Sequence, residues 1–425
     1  MLDVCKFIRR VAFSEFCRNM GKMKTLEIKN ALTGEGVSIV DALDSLISHA
    51  YQSRASDIHI DPTDDSVRIR LRIDGVLHEA FVIPRSMHQE IISRIKVLAG
   101  LRTDEHQAAQ DGRIRVNLAD TGPIDIRVSI APTYHGENAV LRLLVDRNKE
   151  FSLENLGFSK EDQEKIIKAI KKPHGMILST GPTGSGKTTT LYTIIKSLNK
   201  DDVSIITIED PVEYAVSGLK QIQVNPQAGL TFASGLRSVL RQDPNIIMVG
   251  EIRDAETAGI AVNTALTGHL LLSTLHTNDT STTLPRLLDM GIEPYLIAST
   301  VNLAIGQRLV RRLCEHCKQQ KKLSGPEIAA IREFLVEAGM SPDAPHFEAI
   351  GCKECGSTGY SGRICVNEVM VIDEDLREAI LEKESSDVIR RLSKDKGMKP
   401  MIVDGMEKVR KGITSLDEIM RVIHE

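Results

Sequence analysis

One octapeptide constrains this chain more than any other part of it: Gly181-Pro182-Thr183-Gly184-Ser185-Gly186-Lys187-Thr188. The apolar run before it, Met176-Ile-Leu-Ser-Thr180, reads as a buried strand, and Thr189-Thr-Leu-Tyr-Thr-Ile-Ile195 after it reads as a helix. Strand, glycine-rich loop and helix in that order make a phosphate-binding loop. The glycines let the backbone turn tightly and aim N–H groups at phosphate oxygens, and the helix start adds the positive end of its dipole. In this arrangement Lys187 reaches the β- and γ-phosphates, the Thr188 hydroxyl ligates Mg²⁺, and residues Gly181 to Thr189 cradle ATP. A glycine-rich turn that binds nothing has no need of a strand and a helix in register.

Three more apolar strands follow, each delivering a polar group at its C-terminal end. They are Val203-Ser-Ile-Ile-Thr-Ile-Glu209-Asp210, Ile246-Ile-Met-Val-Gly-Glu251 and Leu270-Leu-Leu-Ser-Thr-Leu275-His276. In a parallel sheet the C-terminal strand ends are where ligands sit. Hydrolysis of a phosphoanhydride needs a group that positions or deprotonates water and cations that stabilise the leaving phosphate, so acids and a histidine at this edge form a coherent set. The strand–helix alternation from Phe158 onward predicts a RecA-like P-loop core over 158–425. Before it, residues 35–145 predict a smaller α/β domain. Its elements are helices at Val37–Ser53 and Pro84–Ala99 and strands at Ser56–Asp61, Ser66–Ile73, Ile124–Ile130 and Asn138–Val145. Residues 146–157 read as the linker. Residues 1–34 read as a tail whose Leu2, Val4, Phe7, Ile8 and Val11 have helical apolar spacing beside Lys6, Arg9, Arg10 and Arg18. That tail is either a membrane-surface or partner-binding helix or a poorly ordered leader.

Composition narrows the partners. The 425 residues carry a net charge of −4, no Trp and 4% aromatics, which offers neither a basic stripe nor stacking surface for nucleic acid. No apolar run is long enough to span a bilayer and no secretory signal is visible. The seven cysteines are too few for a disulfide framework at this size, and the reading is a reducing, cytoplasmic setting. Four of them form two CxxC knuckles, Cys314-Glu-His-Cys317 and Cys352-Lys-Glu-Cys355, whose four thiolates suit a closed tetrahedral Zn²⁺. Arg311, Arg312, Lys318 and Lys353 nearby favour thiolates. His316 reads as a solvated residue rather than a ligand, and Cys5, Cys17 and Cys365 have no matching partners.

The P-loop and the three strand ends resemble the Walker A, aspartate, Walker B and histidine boxes of the secretion-superfamily ATPases (GspE/PilB-like) that drive type II secretion and type IV pilus assembly. Leu240-Arg-Gln-Asp-Pro-Asn-Ile-Ile-Met-Val-Gly-Glu-Ile-Arg-Asp254 is similar to the family signature. Ala55-Ser-Asp-Ile-His-Ile-Asp-Pro62, Gln110-Asp-Gly-Arg113-Ile and Gly397-Met-Lys-Pro-Met-Ile-Val-Asp-Gly405 extend the resemblance over nearly everything after residue 35. It implies a PAS-like N-terminal domain, a zinc-knuckle insertion over 314–355 and C-terminal helices on the ATPase core. It also implies a cytoplasmic homohexamer, peripheral at the inner membrane, that works on a platform protein and not on nucleic acid. Glu251 matches the catalytic glutamate, and Glu209 and Asp210 match acids that help hold metal and water. His276, and His269 as an even choice against a structural role, match histidine-box positions. Arg113 and Arg127 resemble arginines that reach a neighbouring subunit's nucleotide, or are surface arginines of alternating strands. Arg237 and Arg241 either face the site or brace an interface.

Departures from the pattern are as informative as matches. Asn245 stands where relatives carry Asp, weakening one carboxylate contact. Ala109 replaces a proline, a change in loop stiffness. Gly250 takes the place of an ordinary Walker B aspartate, so no carboxylate there ligates Mg²⁺. A front of about 34 residues is shorter than the usual docking domain, so that either docking differs or the true start is missing. Pilus-retraction ATPases resemble the rest but lack the zinc module, which favours assembly or secretion. A retraction motor, a nucleic-acid translocase on the same core and a non-hydrolysing ATP-binding scaffold are the alternatives.

Overall fold

The computed structural model describes residues 38–118, 122–144 and 152–423. The tail over 1–34 and the linker up to residue 151 lie outside the described residues. Contacts divide the chain into two compact units, one of residues 1–147, 314–318 and 349–362, the other of 148–313, 319–348 and 363–425.

In the first unit, strands β1 (Ala55–Pro62), β2 (Ser66–Ile73), β3 (Val76–Pro84), β4 (Gln110–Leu118), β5 (Gly122–Thr133) and β6 (Gly136–Leu144) form one sheet of order β3-β2-β1-β6-β5-β4. Every neighbouring pair in it is antiparallel. Strict alternation sorts the residues of β2 by face: Val67, Ile69 and Leu71 are buried, while Arg68, Arg70 and Arg72 point the other way. Helix α1 (Ile39–Gln52) buries Ala42, Leu43, Leu46, Ile47 and Ala50 at helical spacing, and α2 (His88–Ala99) buries Ile91, Ile92 and Ile95. Both join the sheet's apolar residues in one core. Each fully buried isoleucine or leucine contributes about 1.5–3 kcal/mol of transfer free energy. The helix expected from Pro84 begins as a single 3₁₀ turn, Arg85–Met87, and ends where Gly100 takes φ +66°.

The second unit is built on β7 (Gly175–Thr180), β8 (Ile205–Glu209), β9 (Lys220–Gln223), β10 (Ile246–Val249), β11 (Leu270–Leu275), β12 (Val301–Leu313) and β15 (Tyr360–Val371), in the order β15-β12-β7-β11-β10-β8-β9. The two short strands β13 (Lys318–Lys321) and β14 (His346–Ala349) pair separately. From β12 through β9 the neighbours run parallel. Every residue of β7, β8, β10 and β11 is buried, the pattern of a parallel sheet covered on both faces. The register aligns their C-terminal ends at Thr180, Glu209, Val249 and Leu275, one edge at which the predicted boxes converge. Helices α3 (Lys160–Ile170), α4 (Lys187–Leu198), α5 (Phe232–Val239), α6 (Ala255–Leu266), α7 (Met401–Arg410) and α8 (Leu416–Ile423) belong to this unit. This is the expected α/β architecture with a parallel-sheet core.

Candidate active site

The loop after β7 has the form its glycines predict. Gly184 and Gly186 take φ +79° and +92°, and Gly186 is the N-cap of α4, so the helix opens straight out of the loop. Lys187, 8% exposed, folds back over the loop and donates to the carbonyls of Gly181 (2.8 Å) and Pro182 (2.9 Å). Burial lowers its pKa to about 8, against the opposing pull of the Glu251 carboxylate. The Ser185 hydroxyl is buried without a hydrogen-bond partner inside this loop. A loop holding a desolvated ammonium, an orphaned hydroxyl and a helix N-terminus fits a phosphate chain.

Glu251, 9% exposed just past the end of β10, stands between Arg253 Nε at 2.6 Å and His276 Nε2 at 3.1 Å. The strand ends that carry them are stitched together. Ser273 and Thr274 donate to the carbonyls of Val249 and Gly250, and the Ile252 N–H donates to Thr274. The Thr180 hydroxyl donates to the Thr277 carbonyl (3.0 Å) and accepts from the Thr277 N–H (3.2 Å), tying the P-loop strand to the histidine loop. Gly250 has a packing reason: a Cβ there would lie 3.2 Å from the Ile208 carbonyl, so an aspartate would press on β8. Asp254 accepts from the N–H and hydroxyl of Thr257 and caps α6.

Other sequence candidates land elsewhere. Glu209 is buried, and its carboxylate accepts from Tyr192, Thr207 (2.6 Å) and Gln221 (3.2 Å), bracing α4 against β8 and β9. Burial first, then the Glu209 carboxylate, raises the Tyr192 phenol well above its usual range, so the tyrosine stays the donor. Asp210 beside it is exposed. His269 precedes β11 and so lies at the opposite edge of the sheet, about 20 Å along the strand from His276 at the usual rise per residue. There its ring faces the Thr264 carbonyl at 3.1 Å. Asn245 also belongs to that far edge, accepting from the Ser204 N–H (2.8 Å), so its departure from Asp does not touch the P-loop edge. Arg237 pairs with Glu256 at 2.6 Å, joining α5 to α6.

In the first unit, Arg113 and Arg127 face each other across β4 and β5, and Arg127 faces Arg142 of β6. The register thus sets three arginines in one row across the sheet. The row continues to Asp57, 3% exposed, which accepts from Arg142 Nε (2.8 Å) and faces Arg72 (3.6 Å). Burial works against ionisation of Asp57, yet these arginines and Ser56 hold its pKa below the usual value.

Sulfur atoms of Cys314, Cys317, Cys352 and Cys355 lie within 4.8 Å of one another, with 314–352 and 317–355 at 3.8 Å and 352–355 at 3.7 Å. A tetrahedron of ligands about 2.3 Å from a zinc ion has edges of about 3.8 Å, so the donor set fits a metal. His316 is exposed and not among them. Burial pushes Cys317 up to about 12, whereas at Cys355 the N–H groups of Cys352 and Gly359 (both 3.2 Å) outweigh burial and bring it down to about 7. Two of the four expected basic neighbours are engaged with carboxylates: Lys318 pairs with Glu315 and Arg311 with Glu418, each at 2.6 Å. The knuckles belong to the compact unit of the antiparallel sheet, where the Gly362 N–H donates to Asp74 (2.9 Å) and Arg54 donates to Ser361 (3.3 Å).

A family model described as type II/IV secretion system protein matches residues 33–421. The chain belongs to that family. It is 42% identical over 416 residues to the type IV pilus assembly ATPase PilB of Thermus thermophilus, covering 98% of this chain and 46% of that protein. It is 44% identical to the type II secretion system protein E of Xanthomonas campestris over 91% of this chain and 68% of that protein. Thus the chain spans about half to two thirds of these relatives. Among solved structures, the Legionella pneumophila ATPase DotB matches with a TM-score of 0.65 at 24% identity, over 89% of this chain and 94% of that one. The pilus retraction motor PilT with bound ADP matches with a TM-score of 0.59 at 24% identity, over 88% and 95%. Both support the α/β fold described above. Among the described residues no helix is long and apolar enough to cross a membrane.

The sequence reading missed Arg253 as a partner of Glu251, and it missed Gln307 and Glu368. The last two carried a visible signal, a polar residue inside the apolar strands β12 and β15. Glu368, 6% exposed, accepts from the N–H and hydroxyl of Thr280 (2.8 and 2.9 Å) and from the Met401 N–H (3.2 Å), fixing the histidine loop to the start of α7.

Proposed function

We propose that this chain is the ATP-hydrolysing motor subunit of a type IV pilus assembly or type II secretion machine, working as a cytoplasmic homohexamer on an inner-membrane platform protein. The convergence of Lys187, Glu251 and His276 at one edge of a parallel sheet carries this reading. When bound, Mg²⁺ on the Thr188 hydroxyl supplies electrophilic polarisation of the phosphate chain. Lys187 exchanges the carbonyls of Gly181 and Pro182 for phosphate oxygens and stays charged beside them. Glu251, held by Arg253 and His276, orients the attacking water and takes its proton. Asp210, exposed at the same edge, assists in holding water and metal, while Glu209 sets the position of α4 from behind. Arg113 and Arg127 supply positive charge to a neighbouring subunit's phosphates. The four cysteines hold a structural Zn²⁺, and the CxxC pairs favour assembly or secretion over retraction. Electron microscopy of cells deleted for the gene tests this, with wild-type and Lys187→Ala copies supplied back. Filaments lost on deletion, restored by the wild type and not by Lys187→Ala, support pilus assembly; unchanged filaments shift the reading to secretion, and filaments in excess contradict both.

A further inference from the structure

Gln307 is wholly buried on β12, among Val301, Leu303, Ala304, Ile305 and Val310, where a polar side chain has to find its partners inside the protein. The register sets Gly306 beside Thr180, so Gln307 lies beneath the first residue of the P-loop. Its amide uses both ends. The Ser185 carbonyl can only accept, so Nε2 donates to it at 3.0 Å, which fixes which way the amide points, and Oε1 is left to accept from the Ser179 hydroxyl at 3.2 Å. Its backbone touches the loop as well: a Cβ on Gly181 would lie 2.4 Å from the Gln307 carbonyl, and one on Gly186 would lie 3.1 Å from Gln307 Nε2.

The consequence follows from peptide geometry. In a trans peptide the C=O and the following N–H point in opposite directions in one plane. Pinning the Ser185 carbonyl down onto Gln307 turns the Gly186 N–H up into the loop, at the very start of α4. Gly186, at φ +92°, is the residue whose backbone is freest to rotate that plane away.

We propose that Gln307 is a positioning residue of the phosphate site, locking the Ser185–Gly186 peptide so that its N–H faces a nucleotide's phosphate chain. This rests on the nucleotide-binding reading above. The lock acts on ground-state binding of the phosphates and touches neither Glu251 nor the water it orients. It therefore changes affinity more than turnover.

The test uses the purified chain and its Gln307→Met variant, similar in volume but without the amide, with MgADP and MgATP as probes. A lost hydrogen bond of this kind gives a rise of about tenfold in the MgADP dissociation constant and in KM for MgATP. The change in kcat stays below about threefold, because the interaction is equally present in ground and transition states. Ser179→Ala, a small change that keeps the Gln307 donor on the Ser185 carbonyl but leaves the buried Oε1 without this partner, gives a rise of about two- to threefold in both constants. A general loss of packing would instead lower the melting temperature and kcat together. A wild type that binds MgADP while both variants bind it equally well overturns the proposal alone. A wild type that binds neither nucleotide overturns the nucleotide-binding reading and this proposal with it.

Discussion

The two sheets of this molecule put their chemistry in different places, and the hydrogen-bonding pattern of each dictates where. The parallel sheet is buried on both faces, so its strands have no side on which to display polar groups. Its candidate functional groups gather at the strand ends, where Lys187, Glu251 and His276 lie. The antiparallel sheet is apolar on one face only, and its alternation leaves a charged face on which Arg113, Arg127 and Arg142 stand in register. An edge concentrates a few residues whose loss is not compensated. A face distributes charge over several strands.

The comparison breaks if the arginine row is merely solvated surface. We expect Arg127→Ala or Arg113→Ala to lower ATP turnover about a thousandfold, the low end of the range for removing an arginine from a phosphoryl-transfer site. The melting temperature should change little, because substitutions on a solvated face seldom cost much stability. A 1:1 mixture of Glu251→Gln and Arg113→Ala subunits should depart from additive activity, and purely additive losses would rule out a site shared between subunits. A fall in melting temperature with unchanged turnover would place these arginines in the structure rather than the chemistry.

A smaller effect sharpens the edge. Lys187 titrates at about 8 in the folded chain, below the ordinary value of 10.5, because of burial. Between those values the unfolded chain binds more protons than the folded one, so this group makes stability rise with pH there. A phosphate beside the ammonium reverses the shift, so nucleotide binding takes up a proton near pH 8. The MgADP dissociation constant should climb above that pH, at most about tenfold per unit for one proton. Calorimetry in buffers of different ionisation enthalpy reads the uptake, and Lys187→Met should abolish it.

The smallest effect on catalysis belongs to the cysteines. Cys317→Ser or a strong chelator should release zinc and lower the melting temperature, with the MgADP dissociation constant changed less than about twofold, because a closed four-thiolate site offers no position for chemistry. A chain that contains no metal by elemental analysis would contradict the zinc reading.

Much of this was legible in the sequence because the relevant signals are local. Ser66–Ile73 has its strand bounds written in its alternation, and Leu270–Leu275 in a short leucine-rich run ended by His276. Strand β3 was missed because its register with β2 slips at Ile69/Arg70 and His78 and Glu79 blur its period. β4 was missed because a glycine and a polar motif open it. At the site, residue types announced Lys187, Glu251 and His276, but not that Glu209 would spend its carboxylate on Tyr192, Thr207 and Gln221. That depends on α4 and β9 converging on the end of β8, a tertiary fact. The same holds for His269 and Asn245, which motif position placed near the chemistry and strand direction places at the far edge.

The account turns on Glu251, so the most direct measurement compares steady-state MgATP hydrolysis and MgADP binding in the wild type and in Glu251→Gln. The account predicts that the variant binds MgADP within about threefold of the wild type and hydrolyses MgATP at least about a hundredfold more slowly, as loss of a general base requires. A Glu251→Gln chain that turns over MgATP as fast as the wild type would contradict it.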